Sequence, residues 1–268
     1  MNDRFAVRPL LVAAALCTIG GDEAVGGKIL QETWENTYAV SEEVSLNVRC
    51  ADGRIYIYGS ESNEMQVTAV KRAFTQERLD ALSLRVALER NRETGGETVT
   101  IETIIPPAPQ GGLTQDRSGT VDWTIIVPQN CRVVKAELSN GEILIEGMRG
   151  AAVKATVGKG RLLARNCFSP TNLVVGRGGL DLFYNWWEEE PFTLEAQIED
   201  GDLRVGLPED ASLHLNAVST SGHIVNHFAE EEERNGSVPD LNTAIGKGAG
   251  AEFQLRTGTG NIRIDRAE

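Results

Sequence analysis

Apolar and polar residues alternate along most of this chain, and seven times the alternation is centred on a glycine carrying the same aliphatic phrase. With each glycine as zero, the phrase places apolar residues at −7, −5, −3, +2 and +4. Around Gly141 these are Val134, Ala136, Leu138, Ile143 and Ile145; around Gly160 they are Val153, Ala155, Val157, Leu162 and Ala164. The phrase recurs at Gly53, Gly178, Gly201, Gly222 and Gly260, and 31 of its 35 slots are apolar. The exceptions are Thr171, Ser219, Asn226 and Thr257. Successive glycines lie 88, 19, 18, 23, 21 and 38 residues apart, so the C-terminal half has a period near twenty, and 38 is two periods of 19. A fixed period of this length marks a repeat architecture.

The alternation predicts an all-β protein. Two arrangements fit the repeat. Asn140-Gly141 and Asp200-Gly201 resemble two-residue hairpin turns, which would pair Leu138 with Ile143 in an antiparallel hairpin sandwich. Alternatively each period is one coil of a right-handed parallel β-helix, or β-solenoid, with the glycine at a corner and all five slots pointing inward. Twenty residues at ~3.3 Å each give a perimeter of ~65 Å, suited to a three-sided coil. Phe253 is the lone aromatic among the slots, and a narrow lumen would impose that limit, so the solenoid is the favoured reading.

Upstream of residue 131 the chain leaves the period but keeps the alternation. Met65–Val70, Leu84–Leu88, Thr98–Ile104 and Val121–Val127 read as half-buried strands, and Thr75–Ala81 as one helical turn. Pro106–Thr120, with prolines at 106, 107 and 109 and a Gly-Gly pair, reads as an exposed loop. The expected organisation is an N-terminal strand region over 35–130, serving as a cap, followed by the repeats over 131–268. Within the repeats, Ala229–Gly250 replaces one period and carries Glu230-Glu231-Glu232-Glu233, which reads as a solvated insertion.

The first residues have a different character. Arg4 and Arg8 precede an apolar run of 11 residues, Pro9–Ile19, and small residues at Gly20, Gly21 and Ala24 follow. This is the pattern of an export signal ending near residue 27. The run is shorter than the ~20 residues a membrane helix needs. A buried N-terminal segment is the bland alternative. Cys17 raises lipid anchoring, but Leu16 stands where lipoprotein signals carry a small residue, which disfavours it.

Charge and candidate chemistry narrow the function. A net charge of −13 disfavours nucleic acid and anionic membranes as partners. Outward acids such as Glu137, Glu142, Glu195, Glu199 and Asp202 are interspersed with Lys135, Lys154, Arg161 and Arg204, without the paired carboxylates that glycoside hydrolysis requires. His214, His223 and His227 take outward slots near Gly222 and share one face by parity, but exposed polar residues explain them as well as a zinc site does. Cys50 sits in an inward slot; a Cys131–Cys167 disulfide is open as an alternative to free thiols. Trp186-Trp187 beside Glu188-Glu189-Glu190-Pro191 is the most unusual local feature. Adjacent strand residues face opposite ways, so one indole should leave the core, either to contact a ligand or partner or to seal a bend. No catalytic residue, cofactor site or metal site is assigned.

Ser45–Val48 running into Asp52–Ile57, Val121–Pro128, Leu138–Ile143, Glu199–Pro208 and Leu255–Ile264 resemble the strand-and-turn signatures of the bacterial putative-adhesin family of β-strand-repeat domains. The resemblance covers roughly residues 35 to 266. The family's function is largely unassigned, and the resemblance supplies no catalytic residues. A repeat rich in turns and poor in convergent polar groups leads to the expectation of a non-enzymatic exported envelope protein acting through surface contacts with an envelope protein or glycan. A carbohydrate-active β-helix enzyme and a periplasmic partner in envelope-stress signalling are the alternatives. The tryptophan segment and the Glu-rich insertion depart from the family pattern.

Overall fold

The computed structural model describes residues 29–90, 96–106, 119–229, 239–248 and 250–267. The export signal, Cys17, most of the proline-rich loop and Glu230–Glu233 therefore lie outside the described residues. The rest is all-β, a large mixed sheet that does not close, with one short helix.

The strands are β1 (Leu30–Ala39), β2 (Ser45–Ser60), β3 (Glu64–Ala73), β4 (Ser83–Arg90), β5 (Glu97–Ile104), β6 (Thr120–Pro128) and β7 (Val133–Glu146). They continue with β8 (Ala152–Arg165), β9 (Thr171–Phe183), β10 (Thr193–Leu207), β11 (Leu213–Ser221), β12 (Ile224–Asn226), β13 (Asp240–Ile245), β14 (Ala251–Thr259) and β15 (Ile262–Arg266). The helix, α1 (Gln76–Ala81), starts where Thr75 caps it by accepting a hydrogen bond from the Arg78 backbone N–H at 3.2 Å.

The hairpin arrangement is not what forms. β2, β7, β8, β9 and β10 each continue as one strand past their glycine and pair in parallel, so Gly53, Gly141, Gly160, Gly178 and Gly201 stand side by side across the sheet. The phrase changes parity at the glycine, with odd offsets before it and even offsets after it. A straight strand would send the two sets to opposite faces. At these glycines φ lies between +133° and +144°, a turn of the backbone that restores both sets to one side. All 31 apolar slots are buried, and a buried aliphatic side chain contributes about 1.5–3 kcal/mol over an exposed one.

The four polar slots have local explanations. Ser219 donates to the Gly260 carbonyl at 2.9 Å and Thr257 to the Gly201 carbonyl at 3.1 Å, each on the neighbouring strand of the sheet. Thr171 donates to the Ser169 carbonyl at 2.8 Å, and Asn226 accepts from the Phe228 N–H at 3.0 Å. Five-residue connections, 147–151, 166–170 and 208–212, join β7 to β8, β8 to β9 and β10 to β11. Met148, Cys167 and Ala211 on these connections are buried with the slots.

At the N-terminal end β5 pairs in parallel with the first half of β2 and β6 with its second half. β4 adds antiparallel to β5, β3 to β6 and β1 to β3. At the C-terminal end β14 and β15 lie between β10 and the β11–β12 pair, and β13 adds antiparallel outside β11. The segment Ala229–Gly250 thus supplies an edge strand of the sheet, where the sequence predicts only a projecting insertion. An apolar alternation reports which residues face inward and says nothing about which strand lies next to which.

Candidate binding surface

The outward residues form ladders across the strands. Arg85 on β4, Glu102 on β5, Arg49 on β2 and Glu137 on β7 occupy one row, with N···O separations of 3.5, 3.7 and 2.9 Å, and Lys135 closes on Glu137 at 2.6 Å. The Lys135 ammonium, followed by the Arg49 guanidinium, holds the Glu137 carboxyl below the usual carboxylate range. Exposed pairs of this kind contribute at most about 1 kcal/mol each, so the row sets a charge pattern more than it stabilises the fold.

A second row crosses the corner. Asp122, Arg54, Glu142 and Arg161 stand on adjacent strands with alternating charge. Arg72 pairs with Asp122, Tyr56 donates to Glu142 at 2.7 Å, and Arg161 reaches the buried Asp181 at 2.6 Å. Arg54, Arg72, Asp122, Glu142 and Arg161, with Asp52, Asn140 and Thr120, line an open groove of ≈ 590 Å³. Each acid of the groove has a partner on a neighbouring strand, Asp122 the Arg72 guanidinium, Glu142 the Tyr56 hydroxyl and Asp52 the Asn140 amide. Among the described residues no three His, Cys, Asp or Glu side chains converge as a metal site would require.

The tryptophan segment occupies the longest connection in the stack, residues 184–192 between β9 and β10. Tyr184 is buried and donates its hydroxyl to the Cys167 carbonyl at 3.0 Å; burial raises its pKa well above the ordinary value. Trp187 packs inward, with ring centroids 5.6 Å from Tyr184, 5.9 Å from Phe192 and 6.2 Å from Phe253. Trp186 turns outward and is 46% exposed. Its ring rests 6.0 Å from Phe168, and its indole N–H donates to the Glu188 carboxylate at 2.9 Å. Arg149 pairs with the same carboxylate and lies 5.6 Å over the Phe168 ring, so the exposed indole is braced from both sides. One indole leaves the core as parity requires, although the segment is a loop and not a strand.

The other candidates do not assemble. His214 lies on β11, before the Gly222 corner, while His223 and His227 follow it, and the His227 imidazole sits 3.0 Å from Asp265. The bend therefore separates residues that simple parity places on one face. Cys50, Cys131 and Cys167 are free and buried, so no Cys131–Cys167 disulfide forms. The Cys131 thiol donates to the Val44 carbonyl at 2.7 Å, and burial pushes its pKa to about 12 and that of Cys167 to about 11. Sequence reasoning missed the charge ladders, because residues 49 and 137 become neighbours only through strand pairing.

No helix among the described residues is long and apolar enough to cross a membrane. No protein family's sequence profile matches the chain, and no curated protein matches its sequence. Among solved structures, a putative adhesin from Bacteroides fragilis aligns over 87% of this chain and 97% of its own at 12% identity with a TM-score of 0.30. A putative cell adhesion protein from Clostridium sporogenes aligns over 88% of this chain and 100% of its own, at 16% identity and a TM-score of 0.51, and it is with this protein that the chain shares its fold.

Proposed function

We propose that the chain is a non-catalytic binding protein of the cell envelope, exported by a signal over residues 1–27, whose parallel coils form a right-handed β-solenoid capped by the 35–130 strands. The observation that carries this reading is the braced, outward Trp186 indole on a buried aromatic base. A rigid exposed aromatic beside acids is a surface for stacking on a sugar ring or anchoring a partner protein. The charge ladders support contact over chemistry, since their acids are already paired. The fold shared with a putative cell adhesion protein is in keeping with it. Trp186 is the residue assigned to partner contact, with Trp187 in the aromatic base beneath it, and an envelope glycan or protein is the partner.

A glycan and cell-surface array probed with the native chain should give signal that disappears in Trp186→Ala and in the Trp186→Ala, Trp187→Ala double variant. Unaltered binding by both variants removes this patch from the proposal. Incubation with acidic and neutral polysaccharides, with and without calcium, should give no turnover; cleavage abolished by one acid-to-amide change would replace the binding reading with an enzymatic one.

A further inference from the structure

Strand order at the C-terminal end departs from chain order. The chain leaves β10, crosses one strand position and lays down β11 and β12, adds β13 on the far side, and only then returns β14 and β15 into the position it skipped. β14 is in parallel register with both neighbours, Leu255 standing opposite Ala196 on β10 and Ala217 on β11. β15 does the same, Ile262 facing Leu203 and Ile224. The corner glycines consequently stack in the order Gly201, Gly260, Gly222.

Residues 251–266 are thus held between two copies of their own phrase. Phe253, Leu255, Ile262 and Ile264 fill the core, Thr257 donates to Gly201, and Ser219 donates to Gly260. Without this segment, the facing edges of β10 and of the β11–β12 pair are left unpaired, since β14 and β15 are their link in the sheet, and such edges template any matching strand. The segment that matches is carried by every copy of the chain. It is attached through Gly246, Gly248 and Gly250, whose φ values of +61°, +66° and +95° glycine adopts without strain, and glycine has the freedom to adopt others.

We propose that this slot also accepts residues 251–266 of a second copy, giving a reciprocal dimer in which the β14–β15 segment of each chain completes the sheet of the other. The hydrogen bonds and buried side chains of the slot are the same whichever chain supplies the segment. Only the path of 246–250 differs, together with the entropy of association, so concentration and brief opening control the exchange. The arrangement is isologous and closes at two chains.

Gln197 on β10 and Arg256 on β14 are register partners, both exposed, at the ~4.8 Å spacing of neighbouring strands that a disulfide can bridge. In a Cys17→Ser background, Gln197→Cys chains are mixed with Arg256→Cys chains, opened in mild denaturant, refolded at high concentration and oxidised. The expected product is a covalent dimer whose linked peptides join positions 197 and 256. In the Gln197→Cys, Arg256→Cys double variant, oxidised before mixing, the bond forms within one chain and the dimer is lost. Monomer alone in the mixture, dimers without the 197–256 linkage, or failure of the double variant to close internally would each overturn the proposal. Glycan binding through Trp186 is read separately, so the two ideas can fail independently.

Discussion

The carbonyl oxygen of Gly141 occupies the space that a Cβ on Gly160 would need, and the same relationship repeats from Gly53 to Gly141 and from Gly160 to Gly178. Glycine at this position is required twice over, by φ near +134° and by this close approach of the adjacent strand. Gly160→Ala should therefore lower unfolding free energy by about 3 kcal/mol or more. Gly179→Ala, one strand over, meets nothing nearer than the Arg161 side chain at 4.0 Å and should change stability by less than about 1 kcal/mol. Urea midpoints of the two variants decide this; equal losses would mean the corner is not what glycine serves.

The two tryptophans should separate in the same measurement. Trp187→Ala removes a ring packed against Tyr184, Phe192 and Phe253 and should cost at least about 2 kcal/mol. Trp186→Ala removes a half-exposed ring and should stay within about 1 kcal/mol. A large loss for Trp186→Ala would assign that indole to packing and weaken its assignment to partner contact.

Alkaline pH should weaken the fold through its thiols. Cys131 and Cys167 have folded pKa values of about 12 and about 11, raised by burial, against about 8.5 in an unfolded chain. Their contribution is complete below about pH 8.5 and is lost as pH rises toward the folded values, at about 1.4 kcal/mol per pH unit for each thiol. Stability measured from pH 7 to 10.5 should fall along this slope, and Cys131→Ala should flatten it. At pH 8 neither thiol should react with a soluble thiol reagent until the protein is unfolded.

The acid side rests partly on Glu97. The Arg90 hydrogen bond holds its carboxyl below the ordinary value, assisted by the Ser41 backbone N–H at 2.7 Å. Stability from this group is present above about pH 4.3 and is lost as pH falls through the depressed folded value. Because Arg90 is largely exposed, Glu97→Gln should cost only about 1 kcal/mol at neutral pH. Native and variant curves should converge at low pH; a constant gap would point to a packing effect instead.

The inward set was legible because one glycine and five alternating slots leave little freedom in how a repeat fills the core. Polar exceptions such as Ser219 and Thr257 were unreadable as such, since the Gly260 and Gly201 carbonyls they cap belong to strands about 40 and 56 residues away in sequence. Neighbour choice was hidden for a related reason. The phrases at Gly201, Gly222 and Gly260 are similar enough to fit beside one another in any order, and topology alone places the last between the first two. His214 and His227 mislead because parity counted along the chain ignores the bend at Gly222. For Trp186 and Trp187 the parity rule reached the correct outcome through a segment to which it does not apply.

The close approach at the corners also bears on how such a chain changes length over generations. Each of Gly141, Gly160, Gly178 and Gly201 meets the glycine of the strand before it in the sheet, so a duplicated repeat of 18 or 19 residues would inherit an acceptable neighbour on both sides. Loss or gain of one residue within a strand instead moves the glycine off the stack and turns every inward side chain outward. Growth by whole units is tolerated while drift within a unit is penalised. The longer spacing at residues 178–201 fits this rule, with its extra length placed in the connection that carries Trp186, away from the corners.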